Sequence, residues 1–391
     1  MTPRCLRLAI LLAFFGSPTG LSFAAEPALV RVTFSVEASP APTQRTLDGR
    51  VLVKAADGGV LVEGRDGRLW TIKPDQLKSL TEQPDPFQLM TADELGASLQ
   101  AELRAAELPG EFDVLKTEHY VLVSNTGRPY AEWNARIFER LLQTFRDYWT
   151  SQGVELAAID RPLAAIVLAN QQQFASFAKT DGSPLSAAGL GYYSITANRI
   201  VLFDFTTTKS QVSAKTQAEV IKRVTSVPGS VATVVHEATH QIAFNTGLHR
   251  RYADNPVWLT EGMAMFFESA DYSSKDAGRN VGRVNAPRLL RFREYLRKRP
   301  PDSLLTLVRD NARFGQADTA PEAYPEAWAL TYYLMKSRPK EYAAYLRLIA
   351  EKPQLQWDDP ETRLANFRSA FGDGDDVDRL MLKSLTKLSG K

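Results

Sequence analysis

The 391-residue chain contains a single cysteine, Cys5. A lipoprotein cysteine would follow the apolar run at residues 8–15, whereas Cys5 precedes it, so the sequence argues against a lipid anchor. After residue 25 the chain has no thiol. Disulfides and thiolate zinc ligands are therefore excluded from that part of the protein.

Long hydrophobic runs and an excess of one charge are also lacking. The run at 8–15 is too short to span a bilayer. With the arginines before it and the small residues up to Ala25, it predicts a secretory signal peptide over 1–25, cleaved after Ala24 or Ala25. Its removal takes two of the 47 basic residues and none of the 45 acidic ones, leaving a neutral chain. We therefore expect an exported, periplasmic or extracellular protein without a stable membrane anchor or a nucleic-acid partner.

The sequence after the signal predicts a small β-rich module at residues 28–82. Apolar residues alternate along this segment, and Asp-Gly pairs separate the runs, which is typical of an antiparallel sheet with tight turns. The module either binds an envelope partner, packs against the main domain, or decorates the chain without a partner. Residues 83–110 are predicted as a linker helix, capped by Thr91 with Glu94 three residues later.

Residues 111–391 are predicted to form one α+β domain. Its first part has the pattern of a mixed sheet, with strands within 112–124 and at 163–168 and 199–204. A helix at about 231–245 separates this sheet-containing lobe from a helical C-terminal lobe, and an active site is expected in the cleft between the lobes. The helices expected in the second lobe are 257–269, 286–298, 303–309, 322–337, 339–351, 360–371 and 376–388.

Histidine is scarce, and its placement indicates chemistry. Of the four histidines, His236 and His240 are four residues apart, so a helix would project both from one face. Glu237 lies between them, completing the His-Glu-x-x-His arrangement of zinc-dependent peptidases. Catalytic zinc takes three protein ligands and leaves a position for water. Glu261 heads an apolar, buried-type helix where an unpaired carboxylate would be costly, so it is either the third ligand or a helix cap.

These residues carry a resemblance to a known family. His236-Glu237-x-x-His240, followed by Trp258-Leu-x-Glu261-Gly-x-Ala, resembles the gluzincin clan of zinc metallopeptidases, which includes thermolysin and the aminopeptidases. Together with the Gly-Tyr-Tyr segment before Asn198-Arg-Ile, the motifs are similar to uncharacterised secreted bacterial proteins with a peptidase MA-like domain. The resemblance runs from about residue 112 to about 350. It implies a thermolysin-like zincin domain that binds Zn²⁺. In such a domain His236, His240 and Glu261 would be the ligands and Glu237 the general base.

The resemblance also suggests an oxyanion donor. Aminopeptidases use a tyrosine that heads a later helix, and Tyr324 begins a helix in a comparable place. The alternative is a core aromatic residue at a helix start. His249 is a second candidate donor, although the arginines beside it predict a surface position, and His119 is expected to be structural.

The chain departs from the family pattern in two respects. Met265 stands where thermolysin-like enzymes carry an aspartate that orients a ligand histidine, and Glu268 either replaces that aspartate or is a solvated or capping residue. The Gly-x-Met-Glu-Asn segment that binds a free amino terminus is absent, which favours an endopeptidase or a narrow-specificity enzyme. The strand at 199–204 is either the sheet edge that binds substrate or an internal core strand.

The sequence thus predicts an exported zinc metallopeptidase that acts on peptide or protein. A non-catalytic envelope scaffold with a structural zinc site, using the β-rich module as its working surface, is the alternative. A zinc hydrolase of a cell-wall peptide link would share the same site.

Overall fold

The computed structural model describes residues 27–36, 43–183, 188–270, 272 and 281–388. The signal peptide predicted at 1–25 lies outside this range. The described chain is α+β: an antiparallel sheet comes first, a second, mixed sheet follows, and the C-terminal region is helical. In the described part of the chain, no helix is long and apolar enough to cross a membrane.

The N-terminal sheet has five antiparallel strands in the order β4-β3-β2-β1-β5. One face carries a small apolar core that includes Val32, Val62 and Ile72. Strand β5 includes Pro84 and ends at Pro86; it is an edge strand, where a missing N–H is tolerated. The strands are β1 Ala28–Val36, β2 Thr43–Lys54, β3 Val60–Gly64, β4 Leu69–Ile72 and β5 Leu77–Pro86.

Helix α1, Ala92–Ala105, joins this sheet to the rest of the chain. The predicted capping box is confirmed, since the Thr91 side chain accepts from Glu94 N–H and the Glu94 carboxylate accepts from Thr91 N–H. The leucines at 95, 99 and 103 are buried in the large core of the main domain. The helix is therefore packed along its length and does not act as a free connection.

The second sheet is mixed and has the order β6-β7-β8-β10-β9. Central strands β7, β8 and β10 are parallel, and all their residues are buried, as expected for strands covered on both faces. Because β10 is internal, the structure supports the alternative of a core strand at 199–204, and β9 is the edge strand on that side of the sheet. The elements are β6 Asp113–Lys116, β7 Tyr120–Ser124, α2 Arg128–Ser151, β8 Leu163–Leu168, α3 Gln171–Thr180, β9 Gly191–Ser194 and β10 Arg199–Phe203.

Helix α6, Ser230–Asn245, packs on the β9–β10 end of this sheet and on the first helix of the C-terminal region, α7. It occupies the position predicted for the motif helix, between the sheet and the helical region. The other helices are α4 Thr207–Ser210, α5 Gln217–Thr225, α7 Val257–Phe267, α8 Ala286–Leu296, α9 Ser303–Arg309, α10 Ala312–Gly315, α11 Ala320–Ser337, α12 Pro339–Ala350, α13 Pro360–Phe371 and α14 Gly374–Leu385.

The N-terminal sheet packs against the main domain through a buried carboxylate. Glu63 on β3 is only 2% exposed, and it pairs with Arg50 of its own sheet and with Arg161 and Arg251 of the main domain. Of these, Arg251 approaches the carboxylate to 3.0 Å. The main-chain N–H of Leu69 also donates to the carbonyl of the β9–β10 turn at 2.8 Å. These contacts show that the module packs against the main domain, which is one of the roles expected for it.

Glu63→Ala is expected to lower the free energy of unfolding by about 3 kcal/mol, because it leaves buried guanidinium groups without their carboxylate. The control is Asp48→Ala, which breaks the exposed pair with Arg31 and is expected to cost under ~1 kcal/mol. Chemical denaturation followed by circular dichroism measures both. Equal losses in the two variants would contradict a buried docking role for Glu63.

Candidate metal centre

Two histidines of α6 face each other across one helical turn. The Nε2 atoms of His236 and His240 are 3.1 Å apart, and the side chains are 13% and 11% exposed. The helix holds this geometry because Val234, Val235 and Ala238 are fully buried and fix its rotation against the core. The predicted pairing of the two rings on one face is therefore present.

Glu261 on α7 completes a group of three ligand residues. Its Oε2 lies 3.1 Å from His236 Nε2, and its Oε1 lies 3.5 Å from His240 Nε2. The expected alternative of a helix cap does not apply, because α7 begins at Val257 and its N-cap residue is Pro256. Nine of the eleven residues of α7 are buried, so the helix carries this carboxylate inward.

The three donor atoms fit the geometry of a metal ion. Ligand atoms of a tetrahedral zinc-type site, about 2.0–2.1 Å from the metal, are ~3.3 Å apart. The two Nε2 atoms are 3.1 Å apart, Glu261 Oε2 lies 3.1 Å from His236 Nε2, and Glu261 Oε1 lies 3.5 Å from His240 Nε2, so each closest approach between two of the residues is near that spacing. His236, His240 and Glu261 could therefore hold a metal ion.

A further carboxylate fixes the tautomer of one ligand. Glu268, 5% exposed, accepts from His236 Nδ1 at 2.8 Å and is itself held by Arg288 at 2.9 Å and by Asn285. Because Nδ1 carries the proton, Nε2 of the neutral ring presents its lone pair to the site. Of the two expected roles for Glu268, the structure places it in the orienting one, and Met265 is a fully buried apolar residue.

The electrostatics of the centre call for positive charge. A lone pair on His236 Nε2 faces a carboxylate oxygen, and two acceptors repel unless a proton or a cation lies between them. Burial opposes ionisation of His236, but its bonds to Glu261 and Glu268 outweigh burial and raise its pKa well above the usual value. Burial likewise opposes the charged form of Glu261, yet the two histidines hold its pKa well below the ordinary range.

Glu237 lies on the sheet side of the same helix. Its Oε2 accepts from the backbone N–H of Tyr193 on edge strand β9 at 2.7 Å. Burial raises the pKa of the Glu237 carboxyl, and the negative charge of Glu261 adds to this, whereas the histidines and the Tyr193 N–H oppose it. The carboxylate is thus more basic than an exposed glutamate, which suits proton transfer.

Tyr324 lies in the second turn of α11. It lines a cavity of about 510 Å³ together with Arg288 and Tyr295. The negative charge of Glu261 and then burial raise the pKa of the Tyr324 hydroxyl, so the hydroxyl keeps its proton and is a hydrogen-bond donor at neutral pH. Helices α7 and α11 approach closely beside it: a Cβ on Gly262 would lie 2.7 Å from the Ala327 carbonyl oxygen.

The other two histidines differ from each other. His249 is 2% exposed and both its ring nitrogens lack a hydrogen-bond partner in the described structure, so the expected surface position is wrong. Burial, with the charge of His240 second, lowers the pKa of His249 to about 3 and keeps the ring neutral. His119 has a structural role, as expected: its backbone N–H and its Nδ1 both donate to the Glu139 carboxylate on α2.

Some residues of the site were missed from the sequence. Arg288 donates to the Glu268 carboxylate from the start of α8, twenty residues downstream. No sequence motif indicated this contact. Gln241 and Asn245 follow Glu237 at four-residue intervals, and that spacing was a signal for a shared helix face. Both side chains bond to the β9–β10 hairpin.

One comparison with known proteins locates the same region. Residues 230–356 match a family described as a protein of unknown function, DUF1570. The matched range begins with α6 and includes all the candidate site residues, namely His236, Glu237, His240, Glu261 and Tyr324. Both sheets lie outside it. No curated protein matches the chain.

Glu268→Ala is expected to weaken Zn²⁺ binding about 10–100-fold, because His236 loses the acceptor that fixes its ring. The control is Glu294→Ala, an exposed residue on α8 paired with Arg291, which should leave affinity unchanged. Competition with a chromogenic chelator measures both dissociation constants. Affinities that agree between Glu268→Ala and wild type would rule out the orienting role.

Proposed function

We propose that this protein is a zinc-dependent metallopeptidase of the gluzincin type, with a thermolysin-like arrangement of its site. The observation that carries the proposal is the convergence of His236, His240 and Glu261 beside the half-buried carboxylate of Glu237. Two histidines on one helix and a glutamate on the next are the ligand set that the motif implies. Zn²⁺ bound there would supply Lewis acidity, which makes a water acidic and a peptide carbonyl electrophilic.

The chain's own groups then move the protons. Glu237 accepts a proton from the attacking water and delivers it to the leaving amine, for which a raised carboxyl pKa is favourable. Tyr324 is the candidate donor to the oxyanion that develops on the former carbonyl, since its hydroxyl stays protonated beside the site.

A peptide or protein is the substrate class that the surroundings favour. Strand β9 is an edge strand of the mixed sheet and contacts Glu237 through its backbone, so an extended peptide added to β9 would lie next to the proposed general base. The cavity lined by α8 and α11 residues adjoins Tyr324 and offers room for a side chain. Export to the periplasm or beyond is part of the proposal and depends on the sequence of residues 1–25.

A structural zinc site is the less favoured function. Structural sites are closed by four protein ligands. Among the described residues, only three ligand side chains converge, which leaves a coordination position for water. A half-buried carboxylate such as Glu237 beside that position also has no role in a purely structural site.

Glu237→Gln is expected to lower hydrolysis of an internally quenched peptide library at least ~10²-fold, because the amide cannot accept the proton. Zinc content, measured by elemental analysis, should stay equal to wild type. Glu132→Gln, on the surface of α2, is the control and should keep full activity. The catalytic proposal fails if the zinc-loaded wild type cleaves no peptide, and Glu237's role fails if the Gln variant remains active.

Tyr324→Phe is expected to lower kcat about 10²–10³-fold with little change in KM, as for loss of an oxyanion donor. Tyr295→Phe is the matched control, because Tyr295 lines the same cavity but its hydroxyl bonds to Ser303 at 2.8 Å. Steady-state kinetics on one peptide separates the two. If both variants retain wild-type kcat, Tyr324 is only a core aromatic residue.

A further inference from the structure

Three polar residues on α6 form a stripe that faces the β9–β10 hairpin. Glu237, Gln241 and Asn245 are spaced by four, which brings them to one side of the helix. Glu237 accepts from the Tyr193 backbone at 2.7 Å, Gln241 donates to the main-chain oxygen of Asn198 at 2.9 Å, and Asn245 bonds to the Asn198 side chain. The helix that carries the metal ligands is therefore bonded along its length to the hairpin.

Asn198 is the centre of this contact. It has φ of +53°, a left-handed conformation that asparagine tolerates better than most residues, and it is 4% exposed. Its Oδ1 accepts from the Tyr193 hydroxyl and from Asn245 Nδ2, both at 2.8 Å, and its Nδ2 donates to Asn245 Oδ1 at 2.9 Å. One buried amide thus joins the turn, the strand and the helix.

The N-terminal sheet and the 250–252 segment hold the same turn from the outside. Leu69 N–H donates to the Thr196 carbonyl at 2.8 Å, and Arg251 donates to the Ile195 carbonyl at 3.3 Å. The Thr196 hydroxyl is 3.0 Å from that of Tyr252. The hairpin is therefore fixed on two sides, which leaves strand β9 little freedom to move away from α6.

We propose that Tyr193 and Asn198 are positioning residues that hold the Glu237 carboxylate in one orientation. The Tyr193 N–H occupies Oε2, so Oε1 is the oxygen left to face the centre. Asn198 acts through Tyr193, because it anchors the tyrosine hydroxyl and the turn that sets the strand. The catalytic consequence rests on the proposed function, since a general base displaced by about 1 Å loses on the order of 10²-fold in rate.

The decisive variant is Asn198→Gly, because glycine adopts the left-handed turn freely while the amide is lost. Tyr193→Phe removes only the hydroxyl. The matched control is Thr196→Val, which breaks the contact with Tyr252 on the outer side of the same turn and leaves the amide intact.

Hydrogen exchange of the Tyr193 amide, followed by NMR, tests whether the hydrogen bond between Tyr193 N–H and Glu237 is held in place, without any catalytic assay. We expect slow exchange in wild type and Thr196→Val, and exchange at least ~10-fold faster in Asn198→Gly and in Glu237→Ala, since an unbonded edge-strand amide is open to solvent. Unchanged exchange in Asn198→Gly would overturn the proposal, whatever the protein cleaves.

Kinetics tests the catalytic consequence. In zinc-loaded Asn198→Gly and Tyr193→Phe, kcat should fall about 10-fold or more, while KM and zinc content stay within about twofold, because only the orientation of the base changes. A raised KM with unchanged kcat would overturn the positioning role. Faster amide exchange in Asn198→Gly, combined with no peptide hydrolysis by wild type, would support the positioning of Glu237 by Tyr193 and Asn198. It would contradict only the proposed peptidase function.

Discussion

The arrangement of the site depends on one electrostatic constraint: three electron-pair donors converge where only a positive charge makes them compatible. His236 Nε2 lies 3.1 Å from both His240 Nε2 and Glu261 Oε2, and Glu261 Oε1 lies 3.5 Å from His240 Nε2. Burial strengthens their repulsion, because little water is present to screen it. The fold accepts this because α6 and α7 are fixed by apolar packing on their other faces. The free energy of that packing keeps the donors together, and a cation turns the repulsion into binding.

The surroundings of the centre divide into two supports with different physical tasks. On one side Glu268 fixes the tautomer of His236 and is itself neutralised by Arg288, so the ligand ring is oriented by charge. On the other side Glu237 is held by a backbone N–H of the sheet edge, and neutral amides such as Asn198 secure that edge. Charged side chains thus support the candidate ligand His236, whereas Glu237 is held through a backbone N–H and, behind it, a neutral amide. A cationic side chain in place of these neutral groups would lower the pKa of Glu237 further than His236 and His240 already do, and would weaken the carboxylate as a proton acceptor.

The sequence was informative wherever a local rule decided the structure. Helices α9 and α13 have the predicted ends, and the pairing of His236 with His240 follows from helical spacing alone. The contacts between distant segments could not be read in this way. Whether Glu268 faced solvent or His236 depended on how α7 rotates against α6, which no local pattern encodes. The arginines beside His249 suggested a surface position, but Arg251 pairs with the buried Glu63, 188 residues earlier, and both Arg251 and His249 are buried.

The pairing of Glu63 with Arg251 also changes the interpretation of the N-terminal sheet. As a separate module it could have been the working surface of a binding protein. Glu63 and Leu69 instead attach it to the segment after α6 and to the β9–β10 turn, which itself bonds to α6 through Asn198. A buried ion pair of this kind contributes little net stability but strongly disfavours separation, because each partner would be left charged without its counterion. The N-terminal sheet is therefore packed firmly against the main domain. The position of edge strand β9 depends on this sheet as well as on α6.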